Sequence, residues 1–94
     1  MTRDFSTVGV IGLGTMGAGI VEVFARNGID VVAVEVDGPA IEHGKAVLGG
    51  STGRALARGK MTQQEHDALH SRVTFTSNLG DLAPCQLVVE AVPE

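Results

Sequence analysis

A run of β-branched residues that leads directly into a glycine-rich turn constrains the fold of this chain more than any other feature. Thr7 to Ile11 lacks polar alternation, which is typical of a strand buried on both faces of a parallel sheet. The turn that follows has the spacing G-x-G-x-x-G, with the residues Gly12, Leu13, Gly14, Thr15, Met16 and Gly17. Apolar residues then recur at helical spacing, which predicts a helix from Met16 to Arg26 that stops at Asn27-Gly28.

Each glycine of this turn has a specific use in a dinucleotide site. Gly12 allows the tight turn, Gly14 lets the backbone approach a pyrophosphate, and Gly17 lets the helix lie close to the strand. The helix N-terminus offers free N–H groups to phosphates. A lone G-x-G-x-x-G is weak evidence, because glycine-rich structural turns are common. The strand before it, the helix after it and an acidic residue 23 positions after Gly12 together favour a dinucleotide-binding turn.

That acidic residue, Glu35, lies near the end of a second β-branched run, Val31 to Val36. A carboxylate there can accept hydrogen bonds from the adenosine ribose hydroxyls and would repel a 2′-phosphate, so NAD is the predicted cofactor rather than NADP. Two alternatives stay open: Glu35 is a solvated charge at a strand end, or Asp37 takes its role.

A helical hairpin is predicted between the second and third strands. Asp37-Gly38-Pro39 can cap and begin a helix that runs to about Gly59. Its internal glycines each cost about 1 kcal/mol relative to alanine, so we expect this helix to be weak or kinked without a partner surface. Thr62 to Glu65 has the form of a capping box and begins another helix that ends near Ser71.

Two further apolar runs, Val73 to Thr76 and Leu87 to Ala91, predict a third and a fourth strand, with a turn or helical turn from Asn78 to Leu82 between them. Right-handed crossovers then give an α/β fold of the Rossmann type, with an incomplete parallel sheet in the order 3-2-1-4. The binding crevice lies between strands one and four, where Gly12 and the segment from Glu90 to Glu94 meet. Glu90 either meets a ligand or backbone donor there, or is exposed at the strand end.

The composition limits the other possibilities. The chain has 94 residues, fewer than a complete doubly wound domain usually needs, so we expect the N-terminal part of a dinucleotide-binding domain, with the remainder and a substrate or dimerisation domain outside it. The unfinished sheet predicts a marginally stable or aggregation-prone piece.

A net charge of −4 gives no general reason to expect nucleic acid or an anionic membrane as a partner. No signal segment or membrane span is evident, and the single cysteine, Cys85, is expected to be a small buried thiol, which fits a cytoplasmic protein.

Two polar clusters have competing interpretations. Arg54, Arg58 and Lys60 lie between Ser51 and Lys60 without an acidic residue, and form either a phosphate-holding patch or, as the sequence alone favours, a solvated helical face. His66 and His70 lie four residues apart and could present two imidazoles to a metal, but no third ligand is evident and no metal site is predicted. No catalytic arrangement stands out in the sequence.

With these residues considered, the chain resembles the N-terminal part of the 3-hydroxyacyl-CoA dehydrogenase family. The matching segments are Val10 to Ile20, Glu35, Arg58 to Thr62, and Leu87 to Glu94. Related β-hydroxyacid dehydrogenases share the glycine turn but join their second and third strands by a short crossover. Here a helical hairpin separates Glu35 from Val73, which favours the acyl-CoA family.

The resemblance implies roles for particular residues. The turn and Glu35 would hold NAD, together with Ala91, Val92 and Glu94 after the fourth strand. Ser51 and Arg58 align with a serine and a basic residue that contact CoA, which changes the favoured interpretation of the basic patch. The family usually has aspartate where Glu35 stands, and the hairpin here is unusually rich in glycine.

The function implied by the resemblance is NAD-dependent oxidation of an (S)-3-hydroxyacyl-CoA, such as 3-hydroxybutyryl-CoA, to the 3-oxoacyl-CoA by a homodimer. In the family, the catalytic histidine and its glutamate partner lie after the position that corresponds to Glu94. Residues 1–94 are therefore not expected to catalyse a reaction alone. The alternatives are a β-hydroxyacid dehydrogenase that acts on a free acid and a non-catalytic nucleotide-sensing module.

Overall fold

The computed structural model describes residues 5–92 of the chain. Strands and helices alternate along this range, as the sequence predicts. In chain order they are β1 (Thr7–Ile11), α1 (Thr15–Arg26), β2 (Asp30–Val34), α2 (Gly38–Ala57), α3 (Gln63–Ser71), β3 (Val73–Thr76), a 3₁₀ turn (Leu79–Leu82) and β4 (Leu87–Glu90).

The strands form a single parallel sheet in the order β3-β2-β1-β4. In the register of the central strand, Gly9 of β1 lies opposite Val32 of β2 and Val88 of β4. The predicted Rossmann-type order is therefore confirmed, and so is the helical hairpin, α2 and α3, between β2 and β3. The sheet order reverses between β1 and β4, where a parallel sheet of this kind opens a crevice at its carboxyl edge.

The core lies between one face of the sheet and the three α-helices. Alternate residues of β1 and β2 supply its floor, and Val8, Val10 and Ala33 are completely buried. The hairpin contributes Leu48 and Leu69 to the same cluster. On the other face, a side chain at Gly9 would overlap Leu82 of the 3₁₀ turn, so that turn packs directly on the sheet.

Local signals at the helix ends behave as the sequence predicts. Gly28, after α1, has a φ of +83°, which ends the helix in the left-handed region. The Asp37 carboxylate accepts the Ala40 N–H at 2.9 Å and caps α2. At α3 the Thr62 hydroxyl accepts the Glu65 N–H at 3.1 Å while the Glu65 carboxylate accepts the Thr62 N–H at 2.8 Å, which is a complete capping box.

Some boundaries differ from the prediction. β2 ends at Val34, so Glu35 and Val36 follow the strand instead of belonging to it. α2 ends at Ala57, and Gly59 beyond it has a φ of +71°. α1 begins one residue earlier than predicted, at Thr15, and β4 ends one residue earlier, at Glu90.

The glycines of α2 do not interrupt it, because the helix has the partner surface that it needs. Its buried residues, Gly44, Leu48 and Thr52, recur every four positions and form a narrow stripe against the rest of the molecule.

Within residues 5–92 no helix is both long and apolar enough to cross a membrane. Cys85 is half-buried, and burial raises the pKa of its thiol.

Candidate functional site

The turn between β1 and α1 depends on glycine for two physical reasons. Gly12 has a φ of +93°, and its N–H donates to the Val34 carbonyl at 2.9 Å. A Cβ at Gly12 would also lie 3.0 Å from the Ala91 backbone. A Cβ at Gly17 would overlap the carbonyl oxygen of Gly12. Both positions therefore require glycine for close approach, between strand ends at Gly12 and between helix and turn at Gly17.

Gly14 lies in a different environment. It is the N-cap of α1, makes no side-chain cap, and has no atom within 4 Å of the position that a Cβ would take. The residues after it, Thr15 and Met16, are exposed. The first N–H groups of a helix have no acceptor within the helix and attract anions. An open helix N-terminus without a side chain at Gly14 fits the pyrophosphate of a dinucleotide such as NAD.

Glu35 lies immediately after β2, and its carboxylate is held by two backbone donors. Oε2 accepts the Leu13 N–H at 2.7 Å, and Oε1 accepts the Val36 N–H at 3.1 Å. The side chain thus bonds to the middle of the glycine-rich turn. A carboxylate offers about four acceptor positions, so this one retains capacity for further donors such as ribose hydroxyls.

Asp37, the alternative candidate for the ribose contact, is already engaged as the N-cap of α2. Its carboxylate serves the helix and not the turn. The structure therefore brings Glu35, and not Asp37, to the glycine-rich turn.

A cavity of about 310 Å³ opens beside Glu35 at the carboxyl edge of the sheet. Its lining is mostly apolar and comes from the ends of β1, β2 and β4 and from the segment after β3. The lining residues are Ile11, Gly12, Val34, Glu35, Val36, Ser77, Leu79 and Val92. Val36 is 84% exposed and Leu79 is 62% exposed, although both are apolar. Binding sites for small molecules are typically concave and apolar with a few polar groups, which is the character of this cavity.

The sequence analysis does not name Val36, Ser77 and Leu79 as lining residues. The available signal is their position near the carboxyl edge of the sheet: Val36 ends the predicted second strand, Ser77 follows the predicted third strand, and Leu79 lies in the predicted turn before the fourth. The predicted second strand includes Val36, whereas β2 ends at Val34 and leaves Val36 exposed.

The segment after β4 lies against the turn. The Ala91 N–H donates to the Ile11 carbonyl at 2.7 Å, and Ala91 is buried while Val92 is half-exposed and lines the cavity. Glu90 is exposed at the strand end, where a charged side chain stays in contact with water. Glu94 lies outside the described residues.

Ser51 and Arg58, the two residues predicted to contact CoA, do not line the same cavity. Ser51 lines a second cavity of about 230 Å³ between α1 and α2, together with Thr15 and Arg54. Arg58 is the exposed C-cap of α2, two helical turns further along. The basic residue that shares the cavity with Ser51 is therefore Arg54.

The two histidines of α3 lie side by side, with ring centroids 4.5 Å apart. His70 does not face solvent alone, because its Nε2 lies 2.9 Å from the hydroxyl of the buried Thr52 on α2. Among the residues that the structure describes, no three His, Cys, Asp or Glu side chains are grouped as metal ligands.

Comparison with known proteins decides the family. The family model of the 3-hydroxyacyl-CoA dehydrogenase NAD-binding domain matches residues 7–94. The chain belongs to the 3-hydroxyacyl-CoA dehydrogenase family. It is 43% identical over all of its 94 residues to a 3-hydroxybutyryl-CoA dehydrogenase of Mycobacterium tuberculosis, and it covers 33% of that protein.

Two further proteins match this chain at similar identity. The crystal structure of FadB2 from Mycobacterium tuberculosis superposes with a TM-score of 0.95 at 42% identity, over 98% of this chain and 32% of that one. The peroxisomal bifunctional enzyme of Cavia porcellus is 40% identical over 92 residues, which are 98% of this chain and 12% of that enzyme. The chain thus spans a third or less of these relatives, and its match to them is an NAD-binding domain.

Proposed function

We propose that residues 1–94 are the N-terminal part of the NAD-binding domain of an enzyme that oxidises (S)-3-hydroxyacyl-CoA to 3-oxoacyl-CoA. The observation that carries the proposal is the glycine-rich turn with Glu35 bonded to it, in a chain whose family is defined by an NAD-binding domain. A short acyl chain, as in 3-hydroxybutyryl-CoA, is proposed because relatives such as that of Mycobacterium tuberculosis have this name.

The residues of this chain would bind and orient the cofactor. The α1 N-terminus, with Gly14, Thr15 and Met16, would hold the pyrophosphate, and Glu35 would accept the adenosine ribose hydroxyls. The apolar cavity between Val36, Leu79 and Val92 has room for the adenine ring. Bound NAD supplies a hydride acceptor, and Glu94 is proposed to lie close to it as the family resemblance implies.

Preference for NAD over NADP would come from Glu35. Its carboxylate is fixed by two backbone donors, so it cannot move away from an added 2′-phosphate without breaking both hydrogen bonds. The negative charge of the carboxylate would repel the negative charge of a 2′-phosphate on the same ribose.

The acyl-CoA would contact α2. Ser51 with Arg58, and Arg54 in the same cavity as Ser51, supply a hydroxyl and cations for the phosphates of CoA. The catalytic groups, the homodimer interface and the substrate domain are proposed to belong to the rest of the protein. A cytoplasmic location also stays a prediction.

The test is a substrate comparison with the whole protein that contains this domain. NAD reduction is followed at saturating NAD with (S)-3-hydroxybutyryl-CoA and, in parallel, with free 3-hydroxybutyrate. We expect turnover of the thioester and at most trace turnover of the free acid. Equal turnover of the free acid would favour a β-hydroxyacid dehydrogenase, and NAD binding without any turnover would favour a nucleotide-sensing module.

A further inference from the structure

A buried polar contact joins the two helices of the hairpin at a point next to Ser51. Thr52 of α2 is completely buried, and its hydroxyl lies 2.9 Å from His70 Nε2 on α3. Burying a hydroxyl costs free energy unless it is hydrogen-bonded. The buried threonine and the half-buried histidine therefore form a directional contact between the two helices, unlike the apolar contacts around them.

The Thr52 hydroxyl has two further acceptors within its own helix. It lies 3.1 Å from the Leu48 carbonyl and 3.3 Å from the Gly49 carbonyl. A hydroxyl has one hydrogen and also accepts, so it bonds to His70 with either ring tautomer: it donates to a bare Nε2, or it donates to a carbonyl and accepts from an Nε2–H. The contact between the two helices is present in both cases.

The surroundings of His70 support a neutral ring. Burial, and then the neighbouring His66, lower the pKa of His70, whereas Asp67 on α3 and Glu22 on α1 act in the opposite direction. The lowering influences prevail, so the imidazole is mainly uncharged at neutral pH and bonds to Thr52 as a neutral ring. It has no need of a counterion for this purpose.

The contact adds a directional restraint to the apolar packing that holds α2. The buried stripe of α2 runs along one side only, from Gly44 through Leu48 to Thr52. Near its start, Gly44 lies against the side chain of Leu13, since a Cβ at Gly44 would be 2.6 Å from the Leu13 Cβ. Near its end, the restraint is the bond from Thr52 to His70. Ser51 and Arg54, on either side of Thr52, line the cavity beside Thr15.

We propose that His70 is a positioning residue for acyl-CoA: through Thr52 it fixes the rotation of α2 and thereby directs Ser51 and Arg54 into the cavity between α1 and α2. This inference rests on the proposed function, because it assigns that cavity to the CoA portion of the substrate. His70 itself does not line the cavity and acts only through Thr52.

The test uses the whole protein with NAD at saturation and (S)-3-hydroxybutyryl-CoA varied. His70→Asn and His70→Gln form the matched pair, because both side chains are neutral amides but glutamine alone places its amide, which both donates and accepts, near the position of Nε2. Loss of one hydrogen bond that orients the site is expected to raise KM for the acyl-CoA about fivefold in His70→Asn. Thr52→Val removes the hydroxyl and is expected to have the same effect.

His70→Gln is expected to keep KM for the acyl-CoA within about twofold of the wild-type value, because its amide keeps a hydrogen-bonding group for the Thr52 hydroxyl. In all three variants kcat and KM for NAD should change little, since the cofactor turn is not touched. His43→Gln, at an exposed position on α2, is the control for replacing a histidine of the hairpin.

Two results would overturn the inference. One is an unchanged KM for the acyl-CoA in a folded His70→Asn protein. The other is a parallel rise in KM for NAD, which would indicate general loosening of the domain. If His70→Asn does not fold, Thr52→Val against Thr52→Ser decides the matter, because serine keeps the hydroxyl. A wild-type protein without turnover of the thioester would defeat the proposed function and this inference together, whereas normal turnover with an unaffected variant defeats this inference alone.

Discussion

The glycine-rich turn and the helical hairpin hold their functional residues in different ways. The turn is fixed by its backbone: Gly12 and Gly17 allow contacts that no side chain would permit, and the Glu35 carboxylate closes onto the Leu13 N–H. The hairpin is fixed by side chains distant in sequence, such as Thr52 and His70. A site built on backbone geometry can be predicted from the spacing of nearby residues in the sequence. A site built on helix packing depends on contacts that this spacing does not specify.

The largest expected effect comes from breaking the turn. Gly17→Ala places a Cβ on the Gly12 carbonyl oxygen, and such overpacking should lower the free energy of unfolding by about 3 kcal/mol. Thermal denaturation followed by circular dichroism measures it. The matched control is Gly19→Ala on the same helix, where the added Cβ meets nothing within 4 Å and should stabilise the protein by about 0.5 to 1 kcal/mol. Equal effects at both positions would contradict the close approach at Gly17.

The corresponding break in the hairpin is Leu48→Ala. Leu48 is 2% exposed and lies in the middle of the buried stripe of α2, so its truncation should cost about 3 kcal/mol of the free energy of unfolding. Urea denaturation is the measurement. Leu79→Ala is the control for removing the same side chain at an exposed position: it should change stability by less than about 0.5 kcal/mol but weaken NAD binding. A stable Leu48→Ala protein would show that α2 is held by other contacts.

A smaller effect is expected where local capping alone is removed. Asp37→Ala deprives the Ala40 N–H of its acceptor at the start of α2 and should cost about 1 kcal/mol. Because Asp37 does not bond to the turn, NAD affinity measured by isothermal titration calorimetry should remain within about twofold of the wild-type value. A large loss of NAD affinity would instead assign the ribose contact to Asp37.

Protonation of His70 should change stability less than any of these substitutions, and it concerns the hairpin alone. The pKa of His70 is lowered from 6.5 in the folded protein, so below pH 6.5 the unfolded chain binds more protons at this residue than the folded chain does. The His70 contribution to stability is therefore complete above pH 6.5 and falls as the pH decreases below it. Denaturation midpoints at pH 7.5 and pH 5.5, for wild type and His70→Gln, measure the difference. A wild-type pH dependence that His70→Gln leaves unchanged would contradict this assignment.

The sequence predicts the turn more completely than the hairpin, for physical reasons. The sheet order, the strand β1 and the capping box at Thr62 follow from local patterns and from the handedness of crossovers. The bond from Glu35 to Leu13 is not predictable, because it depends on how far β2 extends: one charged residue after Val34 reaches back to the turn. The contact between Thr52 and His70 joins residues 18 apart in the sequence. The spacing of His66 and His70 does not specify it, because the same spacing is compatible with a pair of metal ligands.

Calorimetric titration with NAD and NADP is the decisive measurement of whether Glu35 makes this turn a site for NAD. The wild-type protein should bind NAD at least about tenfold more tightly than NADP, and Glu35→Ala should weaken NAD binding about tenfold and narrow the preference. Asp37→Ser, which keeps a capping oxygen but removes a neighbouring charge, should leave the preference unchanged. Equal affinity of the wild-type protein for both cofactors, or an unaltered preference in Glu35→Ala, would show that Glu35 does not select NAD.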